Sequence, residues 1–118
     1  MLLKEIEQKL QEIDPLVYYG AAWKHDNTTL WNYIVFNRTN IKHSTNKTAD
    51  SDYFDVHIVR ENYVPEGFDV VVIDKLKELA GVRLAGTDTS FNYDRKPNTN
   101  TVVEIMTISF VRARKLNV

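Results

Sequence analysis

The chain has 118 residues with 43% hydrophobic, 11% aromatic and 26% charged side chains, a length that fits one domain and a composition that supports a buried core and excludes global disorder. Fifteen Lys and Arg against sixteen Asp and Glu leave a net charge of -1, too balanced for a protein that holds polyanions by bulk charge. Cysteine is absent, which excludes a disulfide scaffold, thiolate metal sites and cysteine nucleophiles, and no apolar run reaches the roughly 18 to 20 residues that span a bilayer.

The start, Met1-Leu2-Leu3-Lys4-Glu5, turns acidic and amphipathic at once and carries no signal-peptide pattern, so the chain reads as a protein that works where it is made. Leu2, Leu3, Ile6, Leu10 and Ile13 recur at spacings of three and four and predict an amphipathic helix that stops near Asp14, because Pro15 disfavours helical geometry in the residue before it. Leu16 to Trp23 and Trp31 to Arg38 are rich in aromatic and β-branched residues and predict two strands joined as a hairpin. Neither alternates cleanly, which points to burial on both faces or to an interface.

Residues 39 to 52 contain one large apolar side chain, Ile41, and predict a long polar loop, either one that orders on a partner or a solvated excursion. Tyr53 to Glu61 predicts a strand with Phe54, Val56 and Ile58 on the core face and Asp55, His57 and Glu61 on a polar one. Pro65-Glu66-Gly67 opens a second helix whose Phe68, Val71, Val72, Leu76, Leu79 and Ala80 recur at helical spacing, with Gly81 as its stop. A closing hairpin follows, one strand within Arg83 to Arg95 and a long one from Asn100 to about Arg114, with Val103 and Ile105 facing one way and Met106, Ile108 and Phe110 the other. The expected fold is α+β, a single domain over 1–118 with about five antiparallel or mixed strands and two helices packed on them, in the order α-β-β-β-α-β-β.

Catalytic grammar is sparse. His25, His43 and His57 share no motif, and the scattered glycines make neither a phosphate-binding loop nor a dinucleotide fingerprint. The four serines lie outside any nucleophile-elbow pattern. Asp55 and His57 could present two metal ligands from one strand face, but no third ligand is indicated by spacing, so no metal and no cofactor are expected. The triplets at Asn27, Asn37 and Asn46 match the glycosylation pattern without the secretory signal that would give them meaning. Arg112, Arg114 and Lys115 form a basic cluster near the end, which reads as a contact for an acidic group or as a solvated strand end. Aromatic and β-branched strands without catalytic grammar favour assembly over catalysis.

The helix Leu2 to Ile13, the strand Val17 to Ala21, the polar segment between Phe36 and Tyr53, the Pro65-Glu66-Gly67-Phe68 opening and the hairpin Phe91-Asn92-Tyr93-Asp94 to Ile108-Ser109-Phe110-Val111-Arg112 together resemble the small tail-completion proteins of long-tailed bacteriophages and prophages, above all the tail terminators of lambda-like and Gram-positive phages. The resemblance covers nearly the whole chain and rests on layout. It implies a non-enzymatic subunit that forms a homo-oligomer, a hexameric ring, on the end of the tail tube and joins it to the head connector. Its partners would be itself, the tube protein and the connector protein, with no membrane and no specific nucleic-acid binding, and its location the virion neck after assembly in the host cytoplasm. Catalytic residues are none in such a family. The expected contact residues are Lys42, His43, Lys47 and Asp50 in the polar segment, with Arg112 and Arg114 near the end. A head-tail stopper or joining protein reads the same way, and a stand-alone ligand- or metal-binding domain using Asp55 and His57 is the alternative of a different class.

Overall fold

The structure is a computed structural model that describes residues 2–21, 30–44 and 49–115. Its elements in chain order are α1 (Leu2–Gln11), β1 (Val17–Tyr19), β2 (Tyr33–His43), β3 (Ala49–Glu61), α2 (Phe68–Leu76), β4 (Val82–Leu84), β5 (Ser90–Arg95) and β6 (Val102–Lys115). The six strands form one mixed sheet in the order β1-β2-β3-β6-β4, with β5 also on β6. The fold is α+β, with six strands where the sequence suggested about five.

Helix α1 ends where Pro15 requires it. The N–H groups of Ile13 and Asp14 both bond the Leu10 carbonyl, and the Asp14 carboxylate accepts the Leu16 N–H at 3.0 Å, an Asx turn that redirects the chain into β1. Helix α2 starts after Gly67, whose φ of 82° places it in the left-handed region that suits glycine. It stops at Leu76, four residues earlier than its apolar pattern suggests. There the backbone tightens into bonds three residues apart, from Glu78 to Lys75 and from Leu79 to Leu76, before Gly81 turns the chain at φ 80°.

Both helices lie on one face of the sheet. Ile6 and Leu10 of α1 and Val72 and Leu76 of α2 join Ile34, Phe36, Phe54, Val56, Ile58, Met106, Ile108 and Phe110 in a single core. Phe54 and Phe110, paired across β3 and β6, stack with centroids 5.4 Å apart. The period-two reading of β3 and β6 is observed: Val103 lies on the other face in a second cluster with Tyr33, Val35 and Val59, Ile105 packed against it.

Three expectations are corrected. First, β1 and β2 are not a hairpin: they pair in parallel, Val17 with Ile34 and Tyr19 with Phe36. Strands joined by a tight turn run antiparallel, whereas the dozen-odd residues between Tyr19 and Tyr33 are enough for a parallel crossover. Second, the polar segment 39 to 52 is mostly strand. β2 runs to His43 and β3 begins at Ala49, with register kept from Ile41–Asp52 to His43–Asp50 after a bulge between Arg38 and Asn40. β3 is paired on its other side as well, Asp50 with Arg114 and Asp52 with Arg112. Backbone pairing therefore carries the strands beyond the helical layer, where no core demands apolar side chains. Third, the single strand expected within 83 to 95 is two short ones, β4 opposite 110–112 and β5 opposite 102–107 of β6.

Candidate functional site

The three strands β2, β3 and β6 form an arm along the long axis of a molecule 53 × 27 × 24 Å in extent. On its helix-side face the alternation that buries Phe54 and Phe110 brings Asp52 and Asp50 of β3, Arg112 and Arg114 of β6, and, past the bulge, Ile41 and His43 of β2 into one row.

Asp50 is the hub of this row, 6% exposed. One carboxylate oxygen accepts the Ser44 N–H at 3.2 Å, and the other accepts from His43 Nδ1 at 3.2 Å and from Arg114 Nη2 at 3.3 Å. The Ser44 N–H, then the His43 and Arg114 donors, hold the Asp50 carboxyl below its ordinary range against the opposing effect of burial. Arg114 also approaches Asp52 at 3.8 Å, and Arg112 pairs separately with Glu5 of α1 at 3.3 Å. Of the expected contact residues, His43, Asp50 and Arg114 are thus brought together. Arg112 is engaged with the helix instead. Lys42 points to the opposite face, above a shallow depression shared with Ser51, Tyr53 and Arg83. Lys47 lies outside the described residues, as do His25 and the triplets at Asn27 and Asn46.

The row is largely self-neutralised: Asp50 and Asp52 answer Arg114, and Glu5 answers Arg112. Such pairs fix the arm's conformation more than they attract a charged ligand. A cleft of about 500 Å³ opens beside them, between the start of α1 and the arm, lined by Leu3, Ile6, Arg38, Ile41, Asp52 and Phe54 among others. The sequence reading missed this cleft. Its one signal was Ile41, a lone large apolar residue in a polar run, which is 41% exposed on the cleft rim.

Asp55 and His57 lie on the other face and serve the sheet. His57 sits between its neighbours on both strands, Nε2–H donating to Asn37 Oδ1 and Nδ1 accepting from Thr107 Oγ1, each at 2.8 Å, the tautomer that the amide oxygen dictates. Burial, partly offset by Asp55, pushes its pKa below the ordinary value. Asp55 accepts the Ser109 hydroxyl at 2.6 Å. With both imidazole nitrogens committed, His57 has no lone pair directed at a ligand. Among the described residues no three His, Asp or Glu side chains gather around a possible metal position, and no helix is long and apolar enough to cross a membrane. The sequence matches no protein-family model and no curated protein.

Proposed function

We propose that this chain is a non-enzymatic structural protein of a phage or prophage tail, a terminator that assembles into a ring on the end of the tail tube and joins it to the head connector. The observation that carries the reading is the arm: three strands running past their helices, braced by the Asp50 cluster, with β2 forming an outer edge whose residues 37–43 have no strand partner beyond β3 among the described residues. An exposed edge of this length is a template for pairing with another chain, and proteins that do not use such an edge usually cover it or shorten it. The layout of the chain supplies the rest of the reading. The His57–Asn37–Thr107 bonds favour it over a ligand-binding or hydrolytic site on the Asp55/His57 face.

The test is to add purified protein to polymerising tail-tube subunits and measure tube lengths by negative-stain imaging. A terminator halts growth and leaves a ring at one tube end. Tubes of unchanged length without end-bound density would overturn the reading, and binding to isolated head connectors alone would move the chain to the stopper role. Lys42, exposed and without an ion pair among the described residues, is the informative variant: Lys42→Glu should cost no more than about 0.5 kcal/mol in stability, so a loss of capping would report on contact and not on folding.

A further inference from the structure

We infer that copies of this chain join edge to edge, the outer edge of β5 in one copy adding to the outer edge of β2 in the next. The inference deepens the ring reading above by assigning its contact, and it takes from that reading only that the partner is a second copy.

Strand β5 is the less expected of the two edges. All six of its residues, Ser90 to Arg95, are exposed, and two are aromatic, Phe91 at 49% and Tyr93 at 64%. Among the described residues its one strand partner is β6, and it lies at the opposite margin of the sheet from β2. No proline, lysine or bulge lies within it and its two charges, Asp94 and Arg95, sit at one end; the β2 edge carries Lys42 and the bulge between Arg38 and Asn40, features that restrict which strands an edge accepts. The β2 edge matches it in length, seven residues from Asn37 to His43 against six.

Direction and facing agree as well. β2 and β6 are both antiparallel to β3, so they run parallel to one another, and β5 runs against both. A second copy displaced across the sheet therefore brings β5 antiparallel to β2 with the helix-side faces on the same side. Phe91 and Tyr93, opposite Met106 and Glu104, point to that face. So do Arg38 and Ile41 on β2, at the rim of the 500 Å³ cleft. The aromatic pair is thereby carried to the cleft that adjoins this edge, whose lining includes Leu3, Ile6, Ile41 and Phe54, with the Arg38 guanidinium beside it, a pairing that arginine and aromatic faces favour. On the other face Asp94 meets the side that carries Lys42.

The two edges are staggered, because β5 lies level with Val35 and the residues before it, through Thr107 and His57. Because side chains alternate between faces, joining them with the faces matched needs an even shift; one of eight residues, roughly 26 Å, sets Tyr93 opposite Ile41 and Phe91 opposite His43, clear of β1. The contact is heterologous, so it closes into a ring or continues as a filament according to the rotation per copy.

The native chain lacks cysteine, which makes disulfide trapping clean. Ile41→Cys protein and, separately, Phe91→Cys and Tyr93→Cys proteins are prepared, each pure and in pairwise mixtures, and oxidised mildly at a series of concentrations. The expected result is a crosslinked dimer when Ile41→Cys is mixed with one of the β5 variants and at least tenfold less in each protein alone, together with a ladder of higher oligomers from the Ile41→Cys/Phe91→Cys or Ile41→Cys/Tyr93→Cys double variant. Crosslinking confined to identical cysteines, or rings seen by native mass spectrometry that give no mixed crosslink, would overturn the edge assignment while leaving the terminator reading in place. A chain that stays monomeric, with no crosslink at any concentration, overturns it too. Mixed crosslinks in a chain that does not cap tubes would uphold the contact and refute the terminator.

Discussion

The Asp14–Arg60 pair is the sharpest test of how the helix-side layer is held to the sheet. Arg60 on β3 donates from Nη2 to Asp14 Oδ2 at 2.9 Å, and the two side chains are only 13% and 8% exposed. Arg60 also bonds the Val59 and Tyr33 carbonyls and lies 5.0 Å from the centre of the Phe68 ring, so one guanidinium links the end of α1, the first two long strands and the start of α2. Removing one partner of a buried pair costs about 3–5 kcal/mol, because the other charge stays behind without compensation. Here the two carbonyls still solvate Arg60, which reduces the loss, while Asp14→Ala also deletes the Leu16 N–H bond, worth about 1 kcal/mol. The expected cost is about 3 kcal/mol, a fall in melting temperature of about 12 °C at roughly 4 °C per kcal/mol for a chain of this size. Urea titration should show a lower midpoint with an unchanged slope. Arg60→Met should cost a similar amount, and the double variant should recover about 2 kcal/mol or more of the summed loss. Single losses below about 1 kcal/mol, or a double variant equal to the sum, would refute the claim that this pair locks the layer.

Other consequences are as direct. Asp50 is held below its ordinary pKa, so its contribution is present above the unfolded value and is lost as pH falls through the lower folded one; amide protection in residues 41–44 and 50–53 should decline in acid below about pH 4, and Asp50→Asn should remove that dependence. His57 acts in the same sense in a higher pH window. Its folded pKa lies below the unfolded one, so the unfolded chain takes up the proton first and stability should fall as pH drops below about 6.5, a slope that His57→Gln should flatten in denaturant titrations. Phe110→Ala should cost about 3–5 kcal/mol, since the ring is fully buried against Phe54 and its loss leaves a cavity between the sheet and α1; a melting temperature within about 4 °C of the parent would contradict that packing.

What could be read from the sequence was whatever periodicity and local stereochemistry control. Leu3, Ile6 and Leu10 mark the buried stripe of α1, Pro15 its end, and Phe54-Val56-Ile58 and Met106-Ile108-Phe110 the core face of the two central strands. What could not be read was set by partners distant in sequence. The polar residues 39–43 and 49–52 are strand because β6, some sixty residues on, pairs with the second group and β3 with the first, and side chains outside the core leave no periodic trace of that. The parallel pairing of β1 turns on three residues whose neighbours are chosen by the crossover and not by their own propensity.

The same reasoning decides which charges are available to a partner. Arg112 and Arg114 stand out in the sequence as a basic cluster, yet each spends its charge within the molecule, on Glu5 or on Asp50 and Asp52. Reversing Arg114 would leave the buried Asp50 facing a like charge, so the arm itself would be disturbed and any loss of assembly would be ambiguous. Lys42 and Arg83, by contrast, make no ion pair among the described residues and flank one depression on the open side of the arm. A charge already committed to a neighbour braces the surface, and an uncommitted one is left for recognition. On that argument the decisive substitutions for assembly lie at Lys42, Ile41, Phe91 and Tyr93 and leave the arginines in place.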